Sequence, residues 1–469
     1  MDVIALSKKT EKLTIEPVEP GSHYIAGAAQ KRLYAIHQTG DTTYNMPRVL
    51  KLSGPIDKNR IQNVINSLVD RHEAFRTFFK VINGQISQVV QEHVKIDIET
   101  GTCLNKDIQK CIQSFIRPFD LERAPLLRVG LYTLSDAKDQ YLLILDIHHS
   151  IADGESAQIL IKEFMELYGG NNLPPLSFQF KEFAHWQARL SKTDLYQKRR
   201  EFWLSQFRNT LPSLNLPTDF PRPSVQTFKG SRLAFQLSKR SSKQLSDLAR
   251  SMNVTLYMLV LSIFKILISK YAQQNDIIVG TPASGRQHSE FQDIVGMFVN
   301  TLALRSQPDG EKSFPQYVNE IKSLTIKAAE NQDYQFDDLI QGLQIERDPS
   351  RNPLFDVMFV WHNFQDSQNN RQKLDDLVLE TIAPEFSISR FDLTLVAAEK
   401  DERLSCSIEY STTLFKEDRI RGIGLMFILF GMMLLIIDVF LIRRFFAHAK
   451  EQHQESRSLG EGKEMPSTG

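Results

Sequence analysis

Two adjacent histidines, His148 and His149, followed by Asp153 and Gly154, are the residues of this chain best suited to acid–base chemistry. A neutral imidazole takes up or holds a proton near neutral pH, and a nearby carboxylate can shape the turn that carries it. The run Tyr141–Ile147 before them is apolar and β-prone, broken only by Asp146, which predicts a mostly buried strand. Behind them Ala157, Leu160, Ile161, Phe164, Met165 and Tyr168 recur at helical spacing, and Gly169 and Gly170 supply a stop signal. The histidines therefore leave a strand end and Asp153 sits in the turn before a helix, a rigid junction of the kind that holds catalytic groups. Taken one at a time, the same residues also fit a buried histidine pair and an ordinary helix N-cap.

The 469 residues suffice for two or three domains and a sizeable core. Lys+Arg and Asp+Glu both number 56, and no basic stripe is present, which excludes a nucleic-acid partner on charge grounds. Cys103, Cys111 and Cys406 are odd in number and lack metal spacing, so they read as scattered thiols of a reducing compartment. The first twenty residues have no apolar signal region.

The elements that must position the histidines follow in order. Residues 1–22 read as a linker ending in Pro17, Pro20 and Gly21. The stretch AGAAQKRLYAIHQ, Ala26 to Gln38, predicts a helix with Ala29, Leu33 and Ile36 on one face. Residues 57–72 predict a second, with Ile61, Val64, Ile65, Leu68 and Val69 inward, running into RHEAFRTFF, Arg71 to Phe79. The aromatics of FQFKEFAHWQARL, Phe178 to Leu190, read as core, and the proline-rich residues 209–224 mark the best lobe boundary. The second half opens with the strand-like SRLAFQLS and one long helix from Ser242 to Ala272. In DIIVGTPASGR the spacing of Gly280 and Gly285 mimics a phosphate loop, but Arg286 and Gln287 replace its Lys and Ser/Thr, which rules out a nucleotide site. IVGMFVNTLALR (294–305), NQDYQFDDLI (331–340) and RDPSRNPLFDVMF (347–359) complete the set of distinctive strings.

The seven strings, in this order, resemble the signature motifs of nonribosomal peptide synthetase condensation domains, including HHxxxDG at His148–Gly154. Ala28, Tyr34, Asn331 and Gln335 depart from the family patterns. The resemblance covers about residues 17–418 and implies an α/β fold of two chloramphenicol-acetyltransferase-like lobes forming a V-shaped pseudo-dimer. Its expected divisions are a linker at 1–22, a first lobe at 23–208, an inter-lobe linker at 209–230 and a second lobe at 231–421. It also implies amide-bond formation between a donor and an acceptor thioester carried on phosphopantetheine arms of partner carrier proteins or synthetase modules. No cofactor or metal is implied, and the chain is expected to be a monomer. His149 is the expected catalytic group. His148, Asp153 and Gly154 shape its turn, Gly154 through close backbone approach. Arg76 is expected to pair with Asp153, and Gly296 and Asn300 to lie in a segment reaching back over the tunnel. A CoA-dependent acyltransferase at a membrane and an inactive synthetase fragment are the alternatives.

Beyond the family pattern, Gly422 to Ile442 is a run with Asp438 as its one charge, long enough to span a bilayer at 1.5 Å per residue. It is expected to be a membrane helix that packs poorly on the lobes, followed by a polar tail at 443–469, with the lobes cytoplasmic.

Overall fold

The computed structural model describes residues 13–37, 41–362, 371–374, 376–385 and 388–433. Two six-stranded sheets, each faced by helices, build two lobes. In the first, the strand Gln140–His148 lies centrally, antiparallel to Asn45–Ser53 on one side and to Leu127–Leu134 on the other. Successive side chains of a strand point to opposite faces. Here Leu143, Leu145 and Ile147 enter the core beneath the helices Lys58–Arg71 and Gly154–Tyr168. Leu142 and Ile144 enter a smaller core beneath the helix Ile108–Phe115. Both faces are covered, so the strand reads as an unbroken apolar run rather than an alternation. All five expected inward residues of Lys58–Arg71 are buried, and Asp57 caps its start by accepting from the Asn59 and Arg60 amides. The first helix spans Ala28–His37 with Ala29 and Leu33 buried, whereas Ile36 faces outward.

The second lobe orders its strands Asn300–Ser306, Ile277–Ala283, Val357–His362, Leu393–Lys400, Arg403–Ser411 and Gly230–Gln236. The single long helix expected over Ser242–Ala272 is instead two, Lys239–Ser251 and Leu256–Ala272, bent by 102°. Asn253 breaks the run with a left-handed φ of 53°, and the Thr255 hydroxyl restarts it by capping the Met258 amide at 3.2 Å.

Packing crosses the expected lobe divisions twice. The helix Phe180–Leu190 buries Phe183, Ala184 and Trp186 in the second lobe's core. Conversely, the hairpin Arg371–Leu374 and Leu377–Ile382 adds to the first lobe's sheet, Val378 opposite Ser53 and Ile382 opposite Val49.

Cys103 and Cys111 form a disulfide tying the strand Glu99–Cys103 to the helix Ile108–Phe115, while Cys406 is free and buried. This corrects the reading of three scattered thiols, since the strand–helix connection brings the first two together, and it removes the argument for a reducing compartment.

At the C-terminal end a helix begins at 417 and continues to 433, the last described residue. Ile420, Ile423 and Phe427 join the second lobe's core, the Phe427 ring 6.1 Å from that of Phe235. The start of the apolar run thus packs on the lobe, against expectation, and leaves Leu425, Met426, Leu429, Met432 and Met433 exposed. Residues 434–442 of the expected membrane segment and the tail 443–469 lie outside the described residues. Among the described residues no single helix is long and apolar enough to cross a membrane.

Candidate active site

The end of the central strand fixes both histidines by their backbones. The His148 amide donates to the Leu126 carbonyl at 3.0 Å, and the His149 amide to the Tyr44 carbonyl at 2.9 Å. His148 is fully buried. Its Nδ1 accepts the Ser150 amide at 3.2 Å and lies 2.8 Å from the Ser150 hydroxyl. An amide only donates, so Nδ1 carries the lone pair and the ring is neutral with its proton on Nε2. Its ring meets His37 edge-on at 4.7 Å and Phe119 at 6.1 Å. Burial, then the neighbouring His37, His149 and Arg390, pushes its pKa down to about 2. His148 is a neutral packing residue of the turn.

His149 is half-buried and holds the opposite tautomer. Its Nδ1 lies 2.9 Å from the Ala152 carbonyl, which can only accept, so Nδ1 bears the proton and Nε2 the lone pair. Burial first, and Arg390 second, push its pKa down to about 4 against the opposing pull of the Ala152 carbonyl and Asp153. At neutral pH the imidazole is an uncharged acceptor with a fixed orientation.

Asp153 is at once a helix cap and the centre of a buried knot between the lobes. It accepts from the Ser156 amide at 2.8 Å and the Ser156 hydroxyl at 2.7 Å. The Phe298 amide donates to its other oxygen at 3.1 Å. Its ion-pair partner is Arg286, at 3.1 Å, with side chains 1% and 0% exposed. Arg286 also donates to the Phe291 and Ile294 carbonyls, pairs with Glu155 at 3.0 Å and lies over the Phe298 ring. The expected Arg76–Asp153 pair is not formed. Arg76 instead donates to the carbonyls of Val69, Asp70, Gln91 and Glu92, where its planar fork ties a helix end to a strand end. The residue whose presence argued against a phosphate loop, Arg286, supplies the charge that Arg76 was expected to give.

The segment 294–300 reaches back to the first lobe. The Ser156 hydroxyl oxygen accepts the Gly296 amide at 3.1 Å and lies 2.9 Å from the Gly296 carbonyl, and Val295 enters the first lobe's core. A Cβ on Gly296 would lie 2.1 Å from the Phe180 ring, so only glycine fits. Asn300 is buried and holds the 332–336 turn, donating to the Gln332 and Tyr334 carbonyls and accepting the Phe336 amide. At Gly154 the expected close approach is made by none of the described residues: a Cβ there would meet nothing within 4 Å.

Sequence reasoning missed Gln30, Tyr44 and Arg390. Gln30 of the first helix donates to the Ser150 carbonyl at 3.1 Å, which gives the AAQKRLY string a role in supporting the histidine turn. Tyr44 and Arg390 carry no local pattern that marks them.

Two helix-faced sheets with a histidine turn at their junction define the condensation class of fold. The sequence matches the Condensation domain family over residues 21–430, and the chain belongs to that family. Condensation domains of nonribosomal peptide synthetases form amide bonds between substrates carried on phosphopantetheine arms and need no cofactor of their own. The chain is 39% identical to bacitracin synthase 3 of Bacillus licheniformis over 429 residues, 91% of this chain and 7% of that protein. It is 42% identical to tyrocidine synthase 3 of Brevibacillus parabrevis over 419 residues, 89% of this chain and 6% of that protein. It thus spans less than a tenth of the length of either. A four-domain nonribosomal peptide synthetase bound to AMP and glycine superposes with a TM-score of 0.81 at 22% identity, covering 90% of this chain and 34% of that one. The first condensation domain of the calcium-dependent antibiotic synthetase, with a substrate analogue, gives 0.72 at 16% identity, covering 88% and 96%. Both share the fold.

Proposed function

We propose that this chain joins a donor acyl thioester to an acceptor aminoacyl thioester, each delivered on a partner carrier protein, with His149 as the catalytic residue. The observation that carries this is the locked tautomer of His149, with Nδ1–H on the Ala152 carbonyl and the lone pair on Nε2. The acceptor nitrogen attacks the thioester carbonyl carbon, the tetrahedral intermediate expels the donor arm's thiolate, and the proton lost by nitrogen ends on that sulfur. An imidazole held near 4 is too weak a base to strip an ammonium. It suits accepting a hydrogen bond from the neutral amine and relaying its proton as the C–N bond forms. Asp153, Arg286, His148 and Gln30 hold the turn, and Gly296 and its neighbours close the knot from the second lobe. His149→Ala is expected to lower product formation between two loaded carriers about 10²–10⁴-fold with an unchanged melting curve. Near-wild-type turnover would remove His149 from the mechanism. Free acyl-CoA serving as well as a loaded carrier would replace the carrier reading.

The exposed face formed by Leu425, Met426, Leu429, Met432 and Met433 supports a second proposal, that the run 422–442 holds the domain at a membrane. Fractionation of cells expressing residues 1–469 and 1–433 tests it. A long form recovered without detergent as a soluble monomer rules it out.

A further inference from the structure

Arg390 precedes the strand Leu393–Lys400 of the second lobe, and its carbonyl accepts from Gln226 and Asn352, yet its side-chain hydrogen bonds run to the first. Its Nη2 and Nε donate to the Thr43 carbonyl at 2.9 and 3.3 Å, a contact 347 positions away in sequence. The guanidinium lies 4.9 Å from the centre of the Tyr44 ring. The carbonyl of that same Tyr44 accepts the His149 amide at 2.9 Å. A chain of contacts therefore runs from the second lobe through the 43–44 turn to the backbone of His149. Among the described residues none of the hydrogen bonds of the Arg390 side chain goes to a carboxylate; burial lowers its pKa, and Tyr44, Glu409 and Asp41 favour its charge through space.

We propose that Arg390 is a positioning residue for condensation: it fixes the backbone beneath His149 across the lobe boundary, and its guanidinium, seated on the Tyr44 ring, brings a positive charge to that turn. This rests on the reading of His149 as the catalytic group. The charged and titratable neighbours of His149 are Arg390 from the second lobe, Asp153 at the helix start and His148 on its own strand, with His37 behind His148. Asp153 favours the imidazolium but is already engaged by Arg286. Arg390 opposes it and is the largest influence after burial. The charge does two things for the reaction. It adds to burial in holding Nε2 unprotonated, and it favours the negative charge that builds on the donor carbonyl oxygen during attack. Both depend on the two lobes being closed on each other.

The test uses no substrate, so it fails or stands independently of the condensation reading. The protein is labelled at histidine Cε1, and the His149 resonance, identified by its loss in His149→Ala, is followed against pH. The wild-type midpoint is expected well below 6.5. In Arg390→Gln it is expected to rise by about one unit or more, a tenfold change in protonated fraction, while Arg390→Lys keeps it low because the charge remains. A midpoint unchanged in Arg390→Gln, or already near 6.5 in the wild type, overturns the proposal. Should Arg390→Gln melt below the working temperature, Arg390→Met takes its place with the same outcomes: a raised midpoint supports the proposal and an unchanged one overturns it.

Discussion

Asp153 Oδ1 lies 3.1 Å from Arg286 Nη2, and the two residues belong to opposite lobes and are wholly buried. Removing one partner of such a pair leaves an uncompensated charge and costs about 3–5 kcal/mol. Asp153→Asn and Arg286→Ala are each expected to lower the melting temperature steeply. The double variant is expected to lose less than the sum. Arg76→Ala should combine additively with Asp153→Asn, because they share no partner. Urea melts of the single and double variants give the coupling directly, and a coupling between Arg76 and Asp153 would contradict the geometry.

His149 contributes no inflection of its own to the condensation rate between about pH 5 and 8, because it is neutral throughout that window. The rise in rate with pH is expected to follow the acceptor amine instead, whose ordinary value is about 7.7–8.0. The linkage sign is also set. The unfolded histidine takes up a proton below about 6.5 and the folded one only near 4, so this residue removes stability as pH falls between those values. Rates measured with two acceptors of different amine pKa separate the cases. An inflection fixed near 6.5 for both would mean that His149 titrates normally.

Lys265 is fully buried in the helix Leu256–Ala272, its Nζ donating to the Leu304 carbonyl at 2.6 Å, and burial pushes its pKa down to about 7. The unfolded lysine binds its proton up to about 10.4, so it opposes folding fully below pH 7 and progressively less as pH rises to that value. Lys265→Met, of similar volume, is expected to stabilise the protein at pH 7 by a few kcal/mol, less about 1 kcal/mol for the lost hydrogen bond. The difference between variant and wild type should shrink from pH 7 to 10 in parallel urea melts. A variant less stable than wild type at pH 7 refutes this account.

The helix that begins at 417 makes the position of a C-terminal truncation decisive. Residues 1–418 lack Ile420, Ile423 and Phe427, each at most 3% exposed. Burial of such side chains stabilises by about 1.5–3 kcal/mol each. Residues 1–433 keep them. The shorter form is expected to melt far lower and aggregate, the longer to match the full chain. Equal melting curves would mean that the helix starting at 417 contributes nothing to the fold.

The strand, turn and helix around His149 were legible in the sequence because each is encoded locally, by an apolar run, a capping carboxylate and a helical spacing. The inward face of Lys58–Arg71 was legible for the same reason. What was not legible depends on residues far apart in the chain. Arg286 sits 133 positions from Asp153, in a glycine-rich turn that carries no mark of its partner. Gly285 turns there with a φ of +72°. The disulfide was overlooked because no spacing rule distinguishes it from two separate thiols. The break at Asn253 was hidden by an apolar pattern that continues through it.

The hairpin Arg371–Ile382, lent to the first lobe's sheet, also sets an order of events during synthesis. Until residue 382 has left the ribosome, the strand Asn45–Ser53 is an open edge with its hydrogen-bonding groups unpaired. Arg286 and the 294–298 segment, which close the histidine turn, also emerge long after the turn itself. The first lobe therefore cannot mature as a nascent domain ahead of the second, as domains in tandem arrays generally do. A pause or a cut in the proline-rich stretch 209–224 would release a half with an open edge and an unpaired buried aspartate, not a working subdomain.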